Sequence, residues 1–133
     1  MAIRRAILEI GLDDWIHVPD VLLAARQVLL GVHWMDGFPS DPESQRRWLA
    51  SQESAALPLA IDAIKECLSE GLIEVGEIID NEFVPWPGPV DEVSARADSA
   101  ARGATFPILV SELFWMRNTA LGDRFGEQFT GEA

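Results

Sequence analysis

SAALPLAIDAIKECLSEGLIEVGEIIDNEFVPW, residues 54–86, is the stretch that decides the fold of this chain. In its first half the apolar residues recur at helical spacing, which predicts an amphipathic helix. The apolar stripe consists of Leu57, Ala60, Ile61, Ile64, Cys67 and Leu68. Proline fits the first turn of a helix, so Pro58 predicts that the helix begins close to it. Gly71 can take the left-handed conformation that ends a helix, so we expect the helix to end there.

Two short strands follow this helix. Leu72–Ile79 is rich in β-branched residues, and Glu82–Trp86 is a second short run that prolines interrupt. Asp80 and Asn81 both tolerate positive φ, which suits a two-residue hairpin turn. We therefore predict that Leu72–Ile79 pairs antiparallel with Glu82–Trp86 and that the apolar stripe packs under this hairpin. Gly76 interrupts the alternation of the first strand, which predicts a β-bulge.

The composition limits the class of protein. A chain of 133 residues, 48% of them hydrophobic, can bury one core, so we expect a single domain. The formal charge of −12 opposes binding to nucleic acid or anionic lipid and favours a basic partner. Cys67 is the one cysteine, and its place in the stripe predicts a core residue. No apolar run reaches the roughly 18 residues of a membrane span, and acids follow the first arginines, so we expect a cytoplasmic protein.

Before the deciding stretch, glycines and prolines separate short helical patterns. We predict a helix over Ile3–Ile10, a short bridge within 13–18 and a second helix over Asp20–Leu30. Ser40 followed by Glu43 has the form of a capping box, so a further helix is expected to begin at Ser40. This helix either breaks within Ser51–Ser54 or continues into the helix of the deciding stretch.

After the hairpin, the same signals predict three more helices. Pro89 and Gly103 bound the first of them. Pro107 opens a second, which we expect to continue through Arg117. Asn118 and Thr119 are expected to break this helix and to cap the last one.

The order of these elements, helix, bridge, helix, loop, helix and hairpin, resembles a winged helix-turn-helix domain. The phrase AIDAIKECLSEGLIEVGEI is similar to the third helix and first wing strand of such domains, and the resemblance covers residues 3–86. It implies an α+β, mostly helical fold with a winged-helix-like core over 1–88 and a helical extension over 89–133, packed on the same domain. The C-terminal phrase ELFWMRNTALGD is similar to small acidic proteins of unknown function from high-GC bacteria.

The resemblance implies that the third helix reads DNA with help from the wing. The charge argues against that role, because no Lys or Arg occurs from Glu66 to Ala95. The same run contains eight acids: Glu66, Glu70, Glu74, Glu77, Asp80, Glu82, Asp91 and Glu92. A DNA-binding regulator of winged-helix type therefore stays the alternative interpretation.

Two groups of residues are candidates for partner contact. The loop between the second and third helices holds four large apolar residues, Val32, Trp34, Met35 and Phe38, which either fold back on the core or form a contact patch. The predicted hairpin carries the carboxylates Glu74, Glu77, Asp80 and Glu82, which would attract a basic surface.

No motif for catalysis, metal binding or nucleotide binding stands out. His17, His33 and Cys67 do not have the spacing of a zinc site, and no P-loop or dinucleotide fingerprint occurs. We therefore expect no catalytic residue, metal or cofactor. The favoured function is a non-enzymatic protein-interaction module: an adaptor, a homodimer or a neutraliser of a basic protein, as immunity proteins are. A small enzyme of unknown reaction ranks third, after the DNA-binding regulator.

Overall fold

The fold is α+β, with five helices and four short strands in the part of the chain that the structure describes. The structure is a computed structural model, and it describes residues 2–30, 39–104 and 113–131. The elements are α1 (Ala2–Asp13), β1 (Ile16–His17), α2 (Val18–Leu30), α3 (Pro42–Ser69), β2 (Ile73–Ile79), β3 (Glu82–Pro85), α4 (Val90–Arg102), β4 (Trp115–Asn118) and α5 (Ala120–Gly131).

The four strands form one antiparallel sheet in the order β1-β4-β2-β3. β4 lies in the interior of the sheet, where Met116 pairs with Ile16 on one side and with Val75 on the other. Side chains alternate across a strand, so Ile73, Val75 and Met116 share the face that packs on the helices, and all three are buried.

The predicted hairpin is confirmed. β2 pairs antiparallel with β3, and the turn residues Asp80 and Asn81 have φ values of 51° and 64°, as a type I′ turn requires. The predicted bulge at Gly76 is wrong, because β2 pairs one residue to one with β4 from Ile73 to Gly76 and with β3 from Gly76 to Ile79. Glycine is needed there for close approach instead: a Cβ atom at position 76 would lie 2.1 Å from the carbonyl oxygen of Val84.

The start of α3 differs from the prediction. The helix is continuous from Pro42, so Pro58 lies in its interior and not in a first turn. The N-cap is Asp41 and not Ser40, because Asp41 Oδ2 accepts a hydrogen bond of 2.9 Å from the Ser44 N–H while Pro42 occupies the first helical position. That hydrogen bond lowers the pKa of the Asp41 carboxyl.

The end of α3 is as predicted. Gly71 has a φ of +73°, and its N–H donates to the carbonyl of Leu68 at 3.1 Å. The N–H of Leu72 donates to the carbonyl of Cys67 at 2.9 Å. These two hydrogen bonds form a Schellman motif, which stops the helix and directs the chain into β2.

The predicted helix from Pro107 is wrong at its end, since Trp115–Asn118 is the strand β4. Its predicted start at Pro107 lies outside the described residues. Phe114 and Met116 are buried, whereas Trp115 and Arg117 are half-buried, and this two-residue alternation is that of a strand. Thr119 caps α5 as expected, because its Oγ1 accepts the Gly122 N–H at 3.1 Å. Asn118 does not cap the helix; its Nδ2 donates to the carbonyl of Leu8 at 2.9 Å.

The apolar stripe of α3 is buried throughout. Its main neighbours are α2 and α4, and α3 contacts the hairpin more sparsely, through β2. The expectation that the stripe packs under the hairpin holds only for the contact with β2, because four helices and the sheet share one core. No helix within the described ranges combines the length and apolar character needed to cross a bilayer.

Candidate functional site at the end of the hairpin

The face of the sheet that packs on the helices becomes exposed to solvent towards the end of the hairpin. Along β2 on this face, the exposed fraction rises from 2% at Val75 to 48% at Ile79. Val84 lies diagonally opposite Ile79 on β3 and is 42% exposed. Two large apolar side chains therefore stand next to each other in solvent at the end of a regular hairpin.

Two of the four predicted hairpin carboxylates are compensated by arginines from other elements. Arg117, on β4, places Nη2 3.3 Å from Glu74 Oε2, and its guanidinium also lies over the Phe83 ring, 4.6 Å from the centroid. Arg96, on α4, places Nη2 3.8 Å from Glu77 Oε1. Folding thus supplies the cations that are absent from the local sequence.

The other two predicted carboxylates, Asp80 and Glu82, are exposed beside Ile79. Neither forms an ion pair with any residue in 2–30, 39–104 or 113–131. The end of the hairpin, defined as Ile79, Asp80, Glu82 and Val84 and called the hairpin tip below, is therefore apolar at its centre and negative around it.

Basic side chains on the described surface are largely engaged with carboxylates. Six of them form ion pairs: Arg4, Arg5, Lys65, Arg96, Arg102 and Arg117. The exposed side of the second half of α3 carries Asp62 and Glu66, and the exposed C-cap residue Glu70 follows them. The surface around the hairpin consequently offers little free positive charge to a polyanion.

A cavity of about 400 Å³ lies between the sheet and α4, close to the hairpin tip. Three aromatic residues, Trp86, Phe114 and Trp115, contribute to its lining. The rings of Trp86 and Phe114 meet edge to face with centroids 5.4 Å apart. The guanidinium of Arg96 stacks 3.9 Å above the Trp86 ring, so the cavity has aromatic walls and a charged rim formed by Arg96 and Glu77.

A second, smaller cavity of about 180 Å³ lies between α2 and α3. It contains Arg26, which is 5% exposed, stacks over the Trp48 ring at 4.7 Å and donates from Nε to Gln52 Oε1 at 2.6 Å. The buried guanidinium of Arg26 thus has its partners within the chain. The cavity beside it is mainly apolar and needs no ligand to satisfy the arginine.

The remaining predicted contact residues, Val32, Trp34, Met35 and Phe38, lie outside the described residues. The loop hypothesis therefore stays a prediction.

Cys67 and His17, the described members of the set of titratable residues singled out in the sequence, do not assemble into a reactive group, and His33 lies outside the described residues. Cys67 is buried, and desolvation raises the pKa of its thiol to about 11, against a smaller lowering effect of Arg4. His17 Nε2 lies 3.4 Å from Asp20 Oδ2, and the imidazole ring packs edge to face on Trp115. Within the described ranges, no three His, Cys, Asp or Glu side chains are grouped so that they could hold a metal ion.

Sequence reasoning identified the acids of the hairpin tip but missed its apolar pair and the cavity beside it. Ile79 and Val84 looked like ordinary strand residues, because nothing in the local sequence shows where the helical cover ends. The cavity joins Trp86, Arg96 and Trp115 from three separate segments. One usable signal was Trp86 itself, a large aromatic residue within the proline-rich connector after the hairpin.

Comparisons of the chain with protein-family models, with curated proteins and with solved structures found no match.

Proposed function

We propose that this chain is a non-enzymatic protein-interaction module and that the hairpin tip is its contact surface. The observation that carries the proposal is the exposure of Ile79 and Val84, diagonal neighbours on one face of the hairpin, beside the uncompensated carboxylates of Asp80 and Glu82. An apolar centre with a polar rim is the usual anatomy of a protein interface. A type I′ turn holds these side chains in place, so little conformational freedom is lost on binding.

The charge of the tip indicates the kind of partner. A surface with a shallow apolar groove flanked by Lys or Arg would cover Ile79 and Val84 and pair with Asp80 and Glu82. The net charge of −12 would also steer such a partner towards the chain, so its association rate should fall as salt rises. A second copy of this chain would lack that charge complementarity, which makes a hetero-complex the better fit.

We also propose that residues 1–88 are winged-helix-like. The element order from α1 to β3 supports this, although β1 pairs with β4 and not with the hairpin. The DNA-binding role is less favoured, because the exposed side of α3, with its C-cap, carries Asp62, Glu66 and Glu70 and the tip of the hairpin is acidic. At ~0.15 M salt, we expect no binding of a random duplex below about 0.1 mM.

Site-specific photo-crosslinking in cells that express the chain naturally tests the proposal. The crosslinking residue replaces Val84, and the matched control replaces Leu121, which is similarly exposed at 41% but lies on α5. We expect a crosslinked polypeptide at position 84 that is absent at position 121 and is lost when Ile79 is changed to Ser. The same adduct should form in lysate less efficiently at high salt.

Three results would count against the proposal. Equal adducts at positions 84 and 121 would show non-specific collision, and crosslinking to nucleic acid would favour the DNA-binding alternative. Failure to form any adduct at position 84 in cells would remove the tip as a contact surface.

A further inference from the structure

In an antiparallel pair of strands, each residue directs its backbone N–H and C=O to one side of the strand, and the next residue directs them to the other side. Two observed hydrogen bonds show which residues of β2 face β3 and which face β4. The Trp86 N–H donates to the carbonyl of Val75 at 2.9 Å, so Val75, Glu77 and Ile79 direct their backbone groups towards β3. The Thr119 N–H donates to the carbonyl of Leu72 at 3.0 Å, so alternate residues from Leu72 onwards direct theirs towards β4. The backbone groups of Ile78 therefore point to the β4 side.

β4 is too short to reach Ile78. Its pairing with β2 ends at Gly76, which is opposite Trp115, and the residue next in register with Ile78 is Leu113, which lies outside the strand. The N–H and C=O of Ile78 thus have no strand partner in the described part of the chain. Ile78, Leu113 and Trp115 all line the 400 Å³ cavity described above, so these two backbone groups sit at its edge.

We propose that an extended segment of a partner protein adds a short strand to β2 at Ile78. The site, called the notch below, consists of the backbone groups of Ile78 and the adjoining 400 Å³ cavity. The segment would exchange two backbone hydrogen bonds with Ile78 and place an apolar or aromatic side chain in the cavity. This inference rests on the proposed function, in that it names a second contact and the conformation of the partner segment.

Three features select an extended peptide as the occupant. An N–H and a C=O on one residue, spaced as in a ladder, match a peptide backbone. Trp86, Phe114 and Trp115 supply aromatic walls for one anchoring side chain. Residues directly opposite each other in an antiparallel pair share a face, so the segment residue next to the one opposite Ile78 would turn its side chain towards α4 and into the cavity. The exposed carboxylate of Asp80, in the adjoining turn, would attract a basic residue of the same segment.

The outer edge of the hairpin, along β3, is a poorer site for the addition of a strand. β3 spans only Glu82–Pro85, and Pro85 has no N–H to donate to an added strand. The cavity that Pro85 helps to line is smaller, about 140 Å³.

The experiment selects a displayed library of random ten-residue peptides on the full chain and follows amide hydrogen exchange by NMR. Before peptide is added, the Ile78 amide should exchange at least about tenfold faster than the Ile79 amide, which is bonded across the turn. Enriched peptides should share one large apolar or aromatic residue and should also carry a basic residue. Saturation with that peptide should slow exchange at Ile78 about tenfold or more. N-methylation of the peptide residue opposite Ile78 should weaken binding about tenfold.

Two variants separate this inference from the proposed function. Ala100 lines the cavity from α4, so Ala100→Leu should fill it and weaken the peptide at least about tenfold. Val84→Ser alters the hairpin tip and should leave peptide affinity within about twofold, while Ile79→Ser removes the crosslink described above. Circular dichroism and the exchange of the Ile79 amide check that each variant retains the hairpin.

The inference is overturned if Ile78 is already protected in the free chain, if enriched peptides leave its exchange unchanged, or if no peptide is enriched. If peptides bind but lose affinity in Val84→Ser and not in Ala100→Leu, the proposed function stands and the notch is wrong. If no crosslink forms at position 84 but peptides still bind at Ile78, the peptide site stands and the hairpin tip is not a contact surface.

Discussion

Gly122 lies so close to Leu72 that a Cβ atom at position 122 would be 2.0 Å from the Leu72 carbonyl oxygen. The same carbonyl accepts the Thr119 N–H, and Thr119 Oγ1 donates to the carbonyl of Gly71 at 2.6 Å. The first turn of α5 is therefore seated on the left-handed turn that ends α3. This contact brings the C-terminal part of the chain onto the centre of the sheet, directly after β4.

Gly122→Ala should destabilise the fold, because the added methyl group meets backbone and not a side chain that could move away. The expected loss in the free energy of unfolding is about 1–3 kcal/mol, as for other overpacked sites. Urea denaturation followed by circular dichroism measures it. Gly103→Ala is the control, since the nearest atom to its Cβ would be 3.3 Å away. A loss at Gly122→Ala no larger than at Gly103→Ala would show that α5 is not seated this closely.

Pro58→Ala should stabilise the fold. Proline in a helix interior removes a hydrogen bond and is disfavoured by about 3 kcal/mol relative to alanine, and Pro58 is exposed within α3. Proline also restricts the unfolded chain, which offsets part of that cost, so we expect a gain of about 1–3 kcal/mol. Pro42→Ala is the matched control, because the first helical position needs no N–H and should show no gain. A thermal melt compares the two variants, and an equal response would contradict the interior placement of Pro58.

The parts of the fold that were predicted correctly depend on local chemistry. Gly71 ends α3 and the Asp80–Asn81 turn closes the hairpin because the conformations required there are accessible to few residue types. The stripe of α3 is buried because its spacing leaves one apolar side, whichever elements cover it. These signals are read within a few residues and need no knowledge of the partner elements.

The errors concern features that the tertiary structure decides. β4 has four residues, and its alternation is too short to be distinguished from a helical pattern when aromatic and apolar residues surround it. Its identity as a strand comes from the vacant edge of β2 far earlier in the chain. In the same way, the acids Glu74 and Glu77 look uncompensated in sequence because Arg117 and Arg96 arrive from other elements.

Asn81→Ala should weaken the hairpin, whereas Asn81→Gly should not. Asn81 has a φ of 64°, which costs alanine roughly 1–2 kcal/mol and costs glycine very little. We expect Asn81→Ala to lower the free energy of unfolding by about 1 kcal/mol relative to Asn81→Gly. Amide exchange of Ile79 and Val84 locates the effect in the hairpin. Equal stability of the two variants would mean that the turn is not type I′ in solution.

Cys67 should be unreactive in the native protein. The thiolate is the nucleophile, and burial raises the pKa of this thiol to about 11, so little thiolate is present or accessible at neutral pH. We expect a thiol-specific reagent at pH 8 to label the folded chain at least about 100-fold more slowly than the chain in denaturant. The variant Cys67→Ala supplies the blank. Stoichiometric labelling of the folded protein within the time needed for the denatured chain would contradict the burial of this residue.

Asp98 should make the stability of the fold depend on acid pH. Lys65 on α3 donates to Asp98 Oδ2 on α4 at 2.9 Å, and Arg102 donates to Oδ1, so the two helices share one carboxylate. The hydrogen bond from Lys65, followed by that from Arg102, lowers the pKa of the Asp98 carboxyl below its ordinary value. A carboxyl with a lowered pKa in the folded state stabilises the fold above its unfolded pKa, near ~3.9, and loses that contribution as pH falls towards the folded value.

Asp98→Asn should therefore be less stable than the unaltered chain at pH 6, by about 1 kcal/mol or less for a partly exposed pair. The difference should shrink as pH falls from 6 to 3, because protonation of Asp98 removes the same interaction from the unaltered chain. Urea denaturation at several pH values measures it, with Asp62→Asn, on the exposed side of α3, as the matched carboxylate control. The control should show a smaller difference at every pH. A difference for Asp98→Asn that stays constant, or that grows as pH falls, would show that the Lys65–Asp98 contact does not hold α3 against α4 in solution.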